Sequence, residues 1–193
     1  MRVLVIPEDS RRDKDLLKPL VEAMMAAVGH PRAKVRICED PVLRGVDEAL
    51  KLERIAVILD LYKMVDLFLV IVDRDGQAQR RERLKALEQG AAELLGAEQV
   101  LLGEHAWQEV EVWILAGHEL PADWSWPEIR TEIHPKERYF LPFLKACGFT
   151  DDAAGRSLLA HQASANFRRI HSICPEDVGV LTTRLRELRG PTP

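Results

Sequence analysis

The chain has few cysteines, and none of them shows the spacing of a covalent or metal-bound scaffold. Its three cysteines, Cys38, Cys147 and Cys174, are far apart and form no C-x-x-C motif. We therefore expect neither a disulfide framework nor a structural zinc site. Histidine pairs at the H-x-x-x-H spacing of a zinc site are also missing. Reduced thiols in the cytoplasm are the simplest interpretation of this cysteine usage.

Long apolar runs and several nucleotide-binding or catalytic motifs are absent too. No stretch reaches the roughly 20 apolar residues of a membrane-spanning helix, so we expect no membrane association. The chain contains no G-x-x-x-x-G-K-[ST] loop, which argues against nucleotide triphosphate binding of the P-loop kind. No serine or cysteine lies in a nucleophile elbow. The formal net charge of −4 gives no overall attraction to nucleic acid.

What the sequence does contain is an alternation of apolar strand segments and amphipathic helix segments. With 193 residues, 47% of them apolar, the chain is long enough for one sizeable core. The predicted strands cover residues 3–6, 34–38, 68–72 and 100–102, and the predicted helices cover 13–28, 46–65 and 79–95. This order predicts an α/β fold with a doubly wound, mainly parallel, four-stranded Rossmann-like sheet and right-handed crossovers.

The organisation changes after Gly117. Prolines and two tryptophans punctuate the next segment, and residues 139–188 are predicted to be helical with breaks at Gly148 and Pro175. We therefore divide the chain into an α/β domain, residues 1–120, and a helical appendage, residues 121–193, that packs on the same core. The last four residues, 190–193, are expected to be frayed.

The third predicted strand ends on two carboxylates. Residues 68–72 are apolar at every position, which is typical of a parallel strand covered on both faces. Asp73 and Asp75 follow at the edge where such sheets bind ligands, and Gly76 permits a sharp turn. Two hard oxygen ligands at this edge predict a site for Mg²⁺ or Mn²⁺.

Glu8 ends the first predicted strand in the same way. In the strand order 2-1-3-4, the first and third strands are neighbours, so Glu8 would meet Asp73 and Asp75 at the topological switch point. Three clustered carboxylates require a cation or a raised pKa, because their repulsion costs several kcal/mol. The alternative is that Glu8 caps the following helix and Asp73 begins a turn.

These residues, with a later segment, resemble a known domain. A strand ending in Glu and a later apolar strand ending in Asp-x-Asp resemble the Toprim domain of topoisomerases, DnaG-type primases and OLD-family nucleases. The segments 72–75 (V-D-R-D) and 109–115 (E-V-E-V-W-I-L) are more closely similar to the D-x-D and E-x-E-x-W-x-L motifs of a Toprim-like domain-of-unknown-function family of bacteria and archaea. The resemblance covers roughly residues 3–118, and the order and spacing of its motifs carry most of its specificity.

The resemblance implies a divalent-metal-dependent phosphodiester enzyme, nuclease-like, in a bacterial defence or mobile-element system. By position, Glu8 would be the general acid or base, Asp73 and Asp75 would hold Mg²⁺, and Glu111 would supply a further ligand. Nucleic acid is the expected partner. Many OLD-family relatives pair Toprim with an ATPase domain, which here would be a separate polypeptide.

The chain departs from the family pattern at two positions. Asp9 stands where Toprim motifs usually have Gly, and Gly117 stands where the related family often has Asp. If the segment around Trp113 is helical, Glu109 and Glu111 lie about 200° apart, so only one of them can face the site. Glu111 is then either the ligand or a solvated residue at the rim.

Several basic residues lie near these motifs. Arg74, Arg80 and Arg81 are candidates for binding phosphate or nucleic acid. The alternative is a solvated helix face on which the arginines pair with Glu82 and Glu88. The candidates also include Lys136, if its loop returns to the sheet edge. Two nearby aromatic residues, Trp124 and Trp126, are expected to pack against the core rather than to stack on bases.

Two other functions remain open. A haloacid-dehalogenase-like phosphatase would use Asp73 as nucleophile and Asp75 as acid, but Gln77 stands where that motif has Thr or Val. Its second acidic pair would be Asp151 and Asp152. A non-catalytic, Toprim-derived binding or regulatory subunit would keep the acidic cluster without its activity.

Overall fold

A four-stranded parallel sheet forms the centre of the molecule. The computed structural model describes residues 1–188, so the predicted frayed tail at residues 190–193 lies outside the described residues. The strand order is β2-β1-β3-β4 and every pairing is parallel. The strands are β1 (Arg2–Pro7), β2 (Lys34–Ile37), β3 (Leu67–Asp73) and β4 (Val100–Ala106). The predicted α/β, doubly wound fold is therefore confirmed.

Helices cover both faces of the sheet. They are α1 (Ser10–Ala27), α2 (Val46–Ala49), α3 (Leu52–Leu61), α4 (Arg80–Ala92), α5 (Glu111–Ala116), α6 (Trp126–Thr131), α7 (Leu141–Ala146), α8 (Ala153–Ala165), α9 (Phe167–Ile173) and α10 (Val180–Glu187), with π-helical turns at Lys136–Phe140 and Pro175–Gly179. None of the helices within residues 1–188 is both long enough and apolar enough to cross a membrane.

The pleat of the strands divides the apolar residues between two cores. Val5 and Leu69 point to one face, where they pack with α1 and with C-terminal helix residues such as Leu159. Ile6 and Val70 point to the opposite face, where they pack against α3 and α4. Because the first core contains side chains from both parts of the chain, the C-terminal helices and the sheet bury one continuous apolar surface.

The fourth strand is longer than predicted. It continues beyond Leu102 to Ala106. Because Gly103, Glu104 and His105 are not apolar residues, the apolar pattern predicted a strand that ended at Leu102. All three residues are nevertheless buried, and helix α4 supplies partners for Gly103 and Glu104. The Gly103 amide donates to Glu88 at 2.6 Å, and Arg81 donates to Glu104 at 2.7 Å.

All three predicted helices of the α/β part differ from the structure in their bounds, and the third covers Arg80–Ala92 rather than 79–95. The first begins at Ser10 rather than Asp13, because the Asp9 side chain accepts a hydrogen bond from the Arg11 amide and caps the helix. The predicted helix 46–65 is two helices, α2 and α3, because Lys51 has an extended backbone between them. The prediction for the tryptophans is confirmed: Trp124 and Trp126 pack against the first core.

Candidate metal centre

Two neighbouring strands bring Glu8 and Asp73 together at the carboxyl edge of the sheet. Pro7, the last residue of β1, lies opposite Ile71 of β3, so Glu8 lies next to the end of β3, where Asp73 is the last residue. The Glu8 carboxylate accepts a hydrogen bond from the Asp73 amide at 3.3 Å. Because Asp9 caps α1, the alternative in which Glu8 is the helix cap is wrong.

The geometry groups Asp73 with Asp75 and Glu109. One carboxylate oxygen from each of these three residues lies within 4.8 Å of the others, close enough to share a metal ion. Asp73 and Glu109 are partly buried, whereas Asp75 is exposed. Three hard oxygen ligands with one open side suit Mg²⁺ or Mn²⁺.

The backbone around this group is held by hydrogen bonds. Asp75 and Gly76 have positive φ values of 51° and 69°, which turn the chain sharply after β3. The Gly76 amide donates to the Gln108 side chain at 2.7 Å, and the Asp75 amide donates to the Gln108 carbonyl at 3.2 Å. The Val110 amide donates to Asp73 at 2.9 Å. The loop after β4 therefore positions the loop after β3.

Glu111 lies beside this group but is not one of its three members. Its carboxylate is buried and accepts from Arg156 at 2.6 Å, with the Lys136 ammonium 3.0 Å away. Since α5 begins at Glu111, Glu109 precedes the helix, and the argument from helical spacing does not apply to the pair. The solvated-rim alternative for Glu111 is wrong because this side chain is 2% exposed.

Asp13 is a further carboxylate that the motifs did not single out. It lies in the first turn of α1 and is buried. Its pKa is raised to about 7, first by burial and then by the charges of Glu111 and Glu8. A signal was present in the sequence: Asp13 precedes Leu16 and Leu17 by three and four residues, which places it on the buried face of the helix.

The carboxylates of this crevice are crowded enough to hold protons. Burial raises the pKa of Asp73 well above its usual value, and the nearby charges of Glu111, Glu8 and Asp13 act in the same direction. Burial also raises the pKa of Glu109 to about 7. For Glu8, burial raises the pKa, although the Asp73 amide opposes this effect. At neutral pH the crevice therefore binds either protons or a cation.

The basic candidates divide into those at the crevice and those elsewhere. Arg80 is buried, and its guanidinium lies 3.4 Å from Asp75. The Lys136 amide donates to Glu109 at 2.8 Å, so its loop does return to this edge. Arg74 stacks on the Trp107 ring, 3.8 Å from its centroid. Arg81 is instead engaged by buried Glu104.

The alternative of a solvated helix face is wrong for Arg80. The Arg80 side chain is only 4% exposed, so it does not lie on a solvated face. Glu88, which was expected to pair with this face, instead accepts from Arg184 of α10 at 2.7 Å. The first turn of α4 is therefore held by contacts with the sheet edge and not by pairs along the helix.

Both departures from the family pattern have local structural reasons in this chain. Asp9 has an extended backbone with φ −133°, which does not require glycine, and its side chain caps α1. At Gly117, a Cβ atom would lie 2.6 Å from the backbone of Ala163 in α8. An aspartate at position 117 would therefore clash with α8.

Comparisons with protein-family models, with curated proteins and with solved structures give no match to this chain.

Proposed function

We propose that this protein is a divalent-metal-dependent phosphodiester enzyme of the Toprim type, with nuclease-like activity. The observation that carries the proposal is the convergence of Asp73, Asp75 and Glu109 at the carboxyl edge of a parallel sheet, with Glu8 next to Asp73. These donors fit Mg²⁺ or Mn²⁺, which would supply charge stabilisation for a phosphoryl group in transfer.

The other residues of the crevice have distinct roles in this proposal. Glu8 is the general acid or base, because its raised pKa brings proton exchange closer to neutral pH. Arg80 binds a phosphate oxygen. Its buried Nε has no hydrogen-bond partner among residues 1–188, so part of its donor capacity is unused. Lys136 keeps Glu111 paired and limits the negative charge beside the substrate.

The phosphatase alternative gains no support from the second acidic pair. Asp152 caps α8 by accepting from the Gly155 amide at 2.8 Å. Asp151 accepts from Arg156 at 2.8 Å. Both carboxylates are thus engaged in interactions that stabilise the C-terminal helices, and Glu8 would have no role in such a mechanism.

The test measures metal binding and cleavage in matched variants. Purified protein is incubated with single-stranded DNA, plasmid DNA, RNA and p-nitrophenyl phosphate, with and without Mn²⁺ or Mg²⁺. Asp73→Asn and Glu8→Gln are compared with Glu98→Gln, an exposed carboxylate that precedes β4 at the opposite edge of the sheet. Metal binding is measured separately by calorimetry.

We expect metal-dependent nucleic-acid cleavage that Glu98→Gln retains. Asp73→Asn should lose metal binding and cleavage together, whereas Glu8→Gln should bind metal and lose at least about 100-fold in cleavage rate. Activity on p-nitrophenyl phosphate alone, lost in Asp73→Asn and kept in Glu8→Gln, would favour the phosphatase. The absence of both cleavage and metal binding would favour a non-catalytic binding or regulatory subunit.

A further inference from the structure

An apolar groove lies at the amino edge of the sheet, opposite the acidic crevice. Its volume is about 360 Å³, and it lies between the starts of β1 and β2 and the end of α3. We call it the α3 groove and define it by the β2 residues Lys34 and Arg36 and by Leu61, Tyr62, Met64 and Val65. It shares no residue with the metal centre.

The groove exists because α3 does not cover the edge strand. Val35 of β2 points into the core shared with α1. Lys34 and Arg36 alternate with it and point to the opposite face, where both are exposed. The register places Arg36 beside Leu4 of the central strand β1. The face of β2 on the α3 side therefore remains open to solvent.

An apolar stripe that faces solvent runs along α3 and reaches the groove at Leu61 and Met64, which line it. Val57, Leu61 and Met64 are 48%, 57% and 68% exposed. Their spacing of four and three residues places Val57 and Leu61 on the same face of α3, with Met64 continuing the stripe in the turn that follows. Contiguous exposed apolar surface of this kind is typical of interaction sites.

The charge around the groove is predominantly basic. Besides Lys34 and Arg36, the basic residues Arg2 and Lys63 and the acidic residue Asp60 line the groove, although the formal net charge of the chain is −4. Arg2 pairs with Asp66, and Lys63 pairs with Asp60. Within residues 1–188, Lys34 and Arg36 form no ion pair. Their charges are therefore available to an acidic partner.

We propose that the α3 groove binds an acidic amphipathic helix of a partner protein. The apolar face of such a helix would cover Leu61 and Met64, and its acidic flank would reach Lys34 and Arg36. Addition of a strand to β2 is disfavoured, because β2 has four residues and two of them are exposed and basic. The small groove predicts a weak, transient complex.

The test uses a defined probe. A fluorescently labelled 14-residue peptide of Leu and Glu, with Leu at helical i, i+3, i+4 spacing, is titrated with the full chain and followed by anisotropy. A peptide with Lys in place of every Glu is the charge control. The variants are Leu61→Ser and Arg36→Glu, and the matched control is Leu158→Ser, because Leu158 is 53% exposed on α8.

We expect micromolar binding of the Glu peptide, about tenfold weaker binding by Leu61→Ser and by Arg36→Glu, and no change for Leu158→Ser. Leu61→Ser and Arg36→Glu should keep the thermal unfolding temperature of the parent protein, because the Leu61 and Arg36 side chains are both exposed. Equal binding of the Lys peptide, absence of binding, or equal loss in Leu158→Ser would overturn the proposal. A concentration-dependent dimer that Leu61→Ser abolishes would assign the groove to a second copy of the chain instead.

Discussion

Burial is the main reason why the acidic residues at the carboxyl edge have raised pKa values, and the charges of neighbouring residues are the second reason. For Asp13, Asp73 and Glu109 alike, burial is the first cause of the raised pKa, and neighbouring carboxylates add to it. A bound cation would reverse this balance, because it favours the ionised form of every carboxylate near it. A bound metal ion would therefore compete with protons for the same residues.

This competition predicts that metal binding releases protons. Because the pKa of Glu109 is raised to about 7, the apparent affinity for Mn²⁺ should increase as the pH rises from about 6 to 8. Calorimetry in two buffers with different ionisation enthalpies measures the number of protons released. An affinity that is independent of pH and buffer would contradict the competition.

Asp13 provides a prediction about stability without metal. Its pKa is raised from 3.8 to about 7 in the folded chain, so the folded state binds its proton more tightly than the unfolded state does. The stability of the metal-free protein should therefore fall as the pH rises from about 4 to 7. Asp13→Asn should remove this part of the decline.

The measurement is urea unfolding of both proteins at pH 4 and pH 8. At pH 8 we expect Asp13→Asn to be more stable than the parent by a few kcal/mol, and at pH 4 we expect a difference near zero. Equal stability of the two proteins at pH 8 would mean that the pKa of Asp13 is not raised in the folded chain.

At the scale of helices and strands, close contacts between elements decide which side chains fit. The end of α5 contacts α8 so closely that position 117 has no room for a Cβ atom. In β4, buried Glu104 is tolerated because Arg81 of α4 donates to it at 2.7 Å, and Arg184 of α10 donates to the Gly103 carbonyl at 2.9 Å. Packing thus accounts for residues that a motif or an apolar pattern does not explain.

The contact between α5 and α8 predicts the effect of a single methyl group. Gly117→Ala would place a Cβ 2.6 Å from the Ala163 backbone, so one helix must shift. We expect the free energy of unfolding to fall by about 1–3 kcal/mol. Gly179→Ala is the control, because its Cβ would meet no atom closer than 3.6 Å. Similar stability losses in both variants, measured by thermal unfolding, would exclude the clash as the cause.

At the scale of the whole molecule, Asp177 connects the C-terminal helices to the sheet. Its carboxylate is fully buried and accepts from the Trp107 amide at 2.9 Å and from the Trp113 indole at 2.7 Å. Arg130 donates to the same oxygen at 3.1 Å. The loop after β4, helix α5 and helix α6 thus all donate hydrogen bonds to one buried carboxylate. These hydrogen bonds compensate for the hydration that the carboxylate loses on burial.

Removal of this charge should destabilise the entire fold. Asp177→Ala leaves Arg130 buried without its main partner, so we expect a loss of about 3–5 kcal/mol in the free energy of unfolding. The neighbouring Glu176 binds the same arginine but is 54% exposed, and Glu176→Ala should cost less than about 1 kcal/mol. Urea unfolding of both variants tests the contrast. Equal losses would show that burial does not set the contribution of Asp177.

Much of the architecture could be predicted from the sequence, because it depends on local patterns. The apolar run of β3 predicted a covered parallel strand, and the alternation with helices predicted the doubly wound fold that the structure confirms. The positions of Glu8 and Asp73 at strand ends are also local properties. Their proximity follows once neighbouring parallel strands are assumed.

The sequence by itself thus determined the α/β fold and the presence of carboxylates at the ends of the central strands. Only the tertiary structure decided which nearby side chains enter the crevice. Glu109 joins Asp73 and Asp75, while Glu111 pairs with Arg156, 45 positions along the chain. The physical reason is that strand ends follow from local apolar patterns, whereas the burial and pairing of a charge depend on partners brought close by folding.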